Sequence, residues 1–160
     1  MDIRIADRPA FRLIGYSTRV TVVSGLLNPG VQAHIESVPR TKYMELLRLG
    51  GSEPAGVLNV SSGVDADYAV GTEFEFMCGV AASARTRAPD GLGLLDVPRG
   101  DWVIVRETPP HPVGAIPEWM AAVWFPSHPW RLRPGPSIVA SRAEGRGPAM
   151  HDLWLPVEPA

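Results

Sequence analysis

Lysine is nearly missing from this chain of 160 residues, which carries Lys42 alone against 14 arginines. Asparagine occurs only at Asn28 and Asn59. Cysteine occurs once, as Cys78, which excludes an internal disulfide framework and leads us to expect a cytoplasmic protein. Excess charge is missing too. A net charge of −2 leaves no whole-chain electrostatic footprint for nucleic acid, so direct nucleic-acid binding is not expected. No apolar run approaches the ~20 residues of a membrane span, and the opening MDIRIADRPA has acidic residues and no apolar centre, unlike a signal peptide. The histidines His34, His111, His128 and His151 form no metal-ligand pair at helical or strand spacing. Gly-x-Ser-x-Gly, phosphate-loop and Cys-x-x-Cys motifs are absent, so no metal, cofactor or catalytic residue is assigned from motifs. Cys78 has no His or Lys beside it in sequence and reads as a buried, inert thiol.

Glycine and proline are abundant, with 16 and 17 residues. That share is below the ~25–30% that marks low complexity. The bias toward Arg, Ala, Gly and Pro also means that base composition competes with structure as the source of the excess. Five tryptophans and a 45% hydrophobic content argue for one folded domain over residues 1–160 with many turns.

The chain reads as strand, helix, strand, strand, stated twice. Phe11–Val23 is rich in β-branched and aromatic residues and reads as a strand, and 24–38 as an irregular connection. Pro39 opens a helix that carries Tyr43, Leu46 and Leu47 on one face with Met44 beside them, and Gly50-Gly51 stops it. Gly56–Ser62 and Thr72–Ser83 read as strands. In the second, Phe74 and Phe76 oppose Glu73 and Glu75. Leu94–Glu107 ends in a strong strand whose entry is shaped by Pro98 and Gly100. Ile116–Phe125 reads as a second helix with Ile116, Met120 and Val123 at helical spacing, 126–136 as loop, and Ser137–Arg142 and His151–Val157 as the closing strands. The helix starts at Val38-Pro39 and Ile116-Pro117 are 78 residues apart. The strands that follow keep nearly that offset. An α+β fold is therefore expected, with two pseudo-symmetric βαββ halves near 8–86 and 92–158. They would form a mostly antiparallel sheet with two helices and a central cleft.

Several stretches in this order resemble the GyrI-like small-molecule-binding domain, the effector-binding domain of AraC-type and MerR-type regulators. Arg8–Tyr16 is similar to the family's first strand, and Val38-Pro39 to the start of its first helix. Phe74–Val80 is similar to its aromatic third strand. Val97–Val105 (VPRGDWVIV) resembles its Ile-Pro-Ala-Gly-Lys-Tyr strand. Trp124–Ser127 and Leu153–Val157 resemble its Trp-Leu-Pro helix end and closing strand. The resemblance covers nearly the whole chain and implies a stand-alone member. It implies binding of small aromatic or amphipathic compounds, often cationic, for sensing or sequestration. Two alternatives come with it: a hydrolase of strained cyclopropane-containing or electrophilic toxins, and a regulatory module that binds a partner protein. The family Glu of a Phe-Glu-x-Tyr segment aligns with Val139, so that acid does not carry over: either Glu75 or Glu118 stands as the candidate cavity acid, or the pocket recognises ligands without a charge pair.

Ligand-binding candidates are aromatic or adaptable side chains: Tyr16, Tyr43, Phe74, Phe76, Trp102, Trp119, Met120 and Trp124. Trp102, after a Gly turn and at a family Tyr position, leads them, whereas Trp154 reads as core. Which face of the Phe74–Phe76 strand lines a cleft stays open from sequence, and with it the role of Glu75. The reading leans to a binder rather than an enzyme, since the family acid is missing at Val139, and the oligomeric state is open at this level.

Overall fold

A computed structural model describes residues 1–25, 27–65, 67–142, 146, 147 and 149–160. Among the described residues, nine strands form one antiparallel sheet: β1 (Asp2–Arg8), β2 (Phe11–Thr21), β3 (Leu58–Ser62), β4 (Glu73–Ser83), β5 (Gly93–Val97), β6 (Gly100–Arg106), β7 (Trp130–Leu132), β8 (Ser137–Arg142) and β9 (Met150–Pro159). Their order is β1-β6-β9-β8-β3-β4-β2-β5, with β7 added on β9. Read from the two ends, β5-β2-β4-β3 matches β1-β6-β9-β8, and the halves meet where β3 pairs with β8.

The sheet's two ends are built from the same two chain segments. Arg8 pairs with Gly100 in the β1–β6 ladder, and Phe11 pairs with Val97 in the β2–β5 ladder. The register therefore continues across Pro9 and Pro98, which lack the N–H a ladder needs and mark a bend in each strand. The sheet coils so far that residues of both ends share one concave core: Phe11, Leu13, Leu58, Val60, Met77, Val97, Trp102, Ile104, Ile138 and Trp154 are all buried there.

Three helices cover the convex face, one more than the sequence pattern predicts. The extra one, α1 (Pro29–Ser37), lies in the stretch read as irregular. Its Gly, Pro and Asn are capping residues rather than breakers. The Asn28 side chain accepts from the Gly30 and Val31 amides at 3.0 and 3.4 Å, and Pro29 occupies the first turn. α2 (Arg40–Leu49) starts after Pro39 as expected. Only Leu46 of its apolar residues is fully buried, while Met44 and Leu47 are exposed. With α1 it covers Val20, Val22, Phe74, Phe76 and Cys78.

α3 begins at Ile116 and widens into a π-turn over Met120–Trp124. The wider turn returns the eighth residue on, Trp124, to the face of Ile116 and Met120. Trp124 is accordingly buried and Val123 exposed, where a regular helix would bring Val123 inward. Beneath α3 lie Val103, Val105, Leu153, Leu155 and Val157. The short strands β1, β5 and β7 are further additions to the expected pattern.

Close strand approach depends on Gly15, which pairs with Gly79 on one side and Gly93 on the other. A Cβ on Gly15 would sit 2.2 Å from the Cys78 carbonyl oxygen and 2.5 Å from Gly79 Cα, both backbone atoms that cannot step aside. Gly15→Ala is therefore expected to destabilise the fold by about 2–3 kcal/mol. Gly51→Ala, which meets nothing within 4 Å, serves as the near-neutral comparison in urea unfolding.

Candidate functional site

Strand alternation decides which side chains face the concave surface. On β6 these are Trp102, Ile104 and Arg106. Across the β9 ladder their partners are Pro156, Trp154 and Asp152. On β1, Ala6 and Arg4 stand opposite Trp102 and Ile104. Phe11, Trp102 and Trp154 form one aromatic cluster, with ring centroids 5.9 and 6.0 Å apart along the chain of contacts. The cluster lies at the side of a cavity of about 580 Å³, walled by Arg4, Glu53, Pro54, Gly56, Arg106, Ala140, Asp152 and Trp154.

Two guanidinium groups lie on this cluster. Arg8 Cζ stands 5.6 Å from the Trp154 ring and Arg133 Cζ 5.1 Å from the Trp102 ring. Arg133 also donates to the carbonyls of Val157 and Asp101 at 3.1 Å each. Burial pulls the pKa of its guanidinium down, while Asp101 and Glu158 act against that shift. Gly100 makes room for it, since a Cβ there would come within 2.7 Å of the Arg133 guanidinium. At the cavity rim Arg8 pairs with Glu53 at 2.6 Å, and Arg106 with the buried Asp152 at 3.4 Å.

The outer face of the same β6–β9 step is tied by a second pair. Glu107 accepts from the His151 ring Nδ1 at 2.8 Å, the His151 amide at 3.0 Å and the Val113 amide at 3.1 Å. Burial pushes the Glu107 carboxyl upward, but these hydrogen bonds outweigh it and hold the group below the usual glutamate range. The pair thereby fixes the strand ends that carry Arg106 and Asp152.

The residues singled out from sequence divide among three places. Trp102 lies in the concave cluster, wholly buried. Phe74 and Phe76 face α1 and α2, and Tyr43 packs beside them with its hydroxyl donating to the Ile35 carbonyl at 3.0 Å. Burial, with the neighbouring Cys78 second, pushes the Tyr43 phenol up to about 12, and burial likewise raises the Cys78 thiol. Trp119, Met120 and Trp124 belong to the layer under α3. Tyr16, on β2, borders a separate outer groove of about 430 Å³ between α2 and the 89–92 loop, with Lys42 and Leu46.

Of the two candidate acids, Glu75 shares the concave side of β4 with Met77 but pairs with Arg19 at 3.1 Å and is not part of the cavity wall. Glu118 is exposed in the first turn of α3. Val139 packs toward the α3 layer, so an acid there would not face the concave surface. Sequence reasoning missed Trp154, Arg4, Arg8, Glu53 and Asp152. The alternation Asp152-Leu153-Trp154 holds the only signal, and it does not say which face is concave. Among the described residues, no group of three metal-ligating side chains occurs, and no helix is long and apolar enough to cross a membrane.

A family model described as GyrI-like small molecule binding domain matches residues 1–158. No curated protein matches the chain. Among solved structures, that of SAV2435 bound to tetraphenylphosphonium is similar over 99% of this chain and 94% of its own, with a TM-score of 0.61 at 15% identity. The C-terminal domain of EcmrR is similar over 99% and 98%, with a TM-score of 0.58 at 14% identity. An integron cassette protein from the mobile metagenome of Vibrio cholerae is similar over 98% and 95%, with a TM-score of 0.51 at 12% identity. At these identities the likeness is one of fold.

The Glu107–His151 tie carries a pH prediction. A carboxyl whose folded pKa is depressed contributes stability above its unfolded pKa and loses it as pH falls through the folded value. Glu107→Gln is expected to cost about 1–2 kcal/mol at neutral pH. In urea unfolding at a series of pH values, the gap to wild type should close as pH falls from the ordinary glutamate value of 4.5 through the lowered one.

Proposed function

The chain belongs to the GyrI-like small-molecule-binding domain family, and we propose that it binds small aromatic or amphipathic compounds in the concave cleft, to sense or sequester them. The observation that carries this reading is the aromatic cluster of Phe11, Trp102 and Trp154 beside a cavity of about 580 Å³. A cavity of this size suits a two- or three-ring compound. Trp154 belongs to the cavity wall, while Trp102 and Phe11 support it from beneath. Flat apolar ligands gain from contact with the Trp154 part of the wall and from leaving water. The structural similarity to a protein solved with tetraphenylphosphonium is consistent with this use of the fold. The outer groove at Tyr16 offers one aromatic ring and is the weaker competitor.

Titration with the neutral fluorophore N-phenyl-1-naphthylamine tests the assignment. Saturable binding to wild type is expected, with about a tenfold loss of affinity in Trp154→Leu, the worth of one stacked aromatic face. Near-ultraviolet circular dichroism checks that the variant stays folded. Equal affinity in the folded variant and wild type would remove the cleft from the reading. Loss in Tyr16→Leu instead would move the site to the outer groove.

A further inference from the structure

We infer that the concave cleft selects aromatic compounds carrying an anionic or strongly hydrogen-bond-accepting oxygen group, such as a carboxylate or sulfonate, and disfavours cationic ones. This rests on the reading of the cleft as the ligand site and names the ligand class that site would take.

The first observation concerns the tryptophan faces. A cationic ligand is held in an aromatic site by the electron-rich ring face. Here Arg8 lies over Trp154 and Arg133 over Trp102. Trp154 is the one of the two in the cavity wall, so an incoming cation would have to compete there with the Arg8 guanidinium, and would be repelled by it in a partly desolvated space.

The second observation is independent of the first. Two buried polar atoms beside the cluster, the Trp102 indole Nε1 and the Arg8 Nε, have no hydrogen-bond partner among the described residues. Trp102 is wholly buried and outside the cavity wall, so its Nε1 is not reached from the cavity. The Arg8 Nε lies beside Trp154 and Glu53 of that wall and is a donor that cannot accept. What completes it is an acceptor; a cation leaves it as it is.

The third observation is the charge at the mouth. Arg4, Arg8 and Arg106 face Glu53 and Asp152 there. Glu53 is engaged by Arg8 and Asp152 by Arg106. Arg4, exposed on the cavity wall, has no acid partner among the described residues. Asp2 shares the Arg4 face of β1 but is not part of the cavity wall, and stands across from Arg106 at the end of the ladder. The carboxylates are thus answered within the protein, and the guanidinium left to meet a ligand is that of Arg4. A guanidinium takes a carboxylate or sulfonate through paired, charge-assisted hydrogen bonds.

A matched pair of probes isolates the charge. 8-Anilino-1-naphthalenesulfonate has the ring system of N-phenyl-1-naphthylamine with one sulfonate added. Fluorescence titration at low salt is expected to give the sulfonate about tenfold tighter binding than the neutral probe, as one charge-assisted pair supplies. That ratio should fall toward one in Arg4→Gln and in high salt, and tetraphenylphosphonium should displace the sulfonate only weakly. If the neutral probe binds in a Trp154-dependent way but the sulfonate binds no tighter, or tetraphenylphosphonium binds tighter than either, the anion assignment is overturned and the cleft reading stands. If no probe binds in a Trp154-dependent way, the cleft reading itself fails.

Discussion

Two bent strand pairs hold the rest of the structure in place. Because Arg8–Gly100 and Phe11–Val97 keep one register across Pro9 and Pro98, the last strand at each end of the sheet is a continuation of the strand next to the other end. An ordinary open sheet presents two edges and two shallow faces. Here the chain ties the ends together, and the inner face has to coil around its own side chains. Phe11 from one side of the join then meets Trp102 from the other. The convex face, in turn, divides into two separate helix-covered layers.

That geometry brings large aromatics together in the concave core and leaves a recess walled by β1, β6, β8, β9 and the 53–56 loop. Each tryptophan of the concave pair carries a guanidinium on its face. Arginine suits this position because its planar, weakly hydrated head stacks on a ring while still donating to carbonyls at its edge, as Arg133 does. Lysine, with a compact and strongly hydrated ammonium, would fit it poorly. The recess therefore has Trp154 in its wall, with Arg4 and Arg106 beside Glu53 and Asp152 around it.

The strand-helix-strand-strand order was legible because its signals are local. Pro39 and Pro117 mark helix starts, and alternation marks β4 and the end of β6. The helix α1 was not legible. Its capping Asn28 and Pro29 resemble loop punctuation, and no residue of the helix is fully buried, so its apolar periodicity is weak. The strand β1 was missed because its residues are mostly polar or exposed. The face of α3 was misjudged at Val123 because a π-turn changes the helical period without leaving a mark in composition. Trp102 was singled out as the leading ligand-binding candidate and lies wholly buried in the concave cluster, and the other members of its surroundings come from β1, the 53–56 loop and β9, which nothing in sequence brings together.

The sequence by itself determined the repeated strand-helix-strand-strand pattern, the family resemblance and the absence of disulfide, metal and membrane signals, since these depend on residue type and short-range spacing. Tertiary structure alone decided which face of each strand is concave. On β6 and β9 both faces are buried, one by the coiled sheet and the other by α3, so hydrophobic alternation does not separate them. Only the closing of the register across the two proline bends puts Trp154, Arg4 and Arg8 around one recess and sends Phe74 and Phe76 to the opposite side, under the helices.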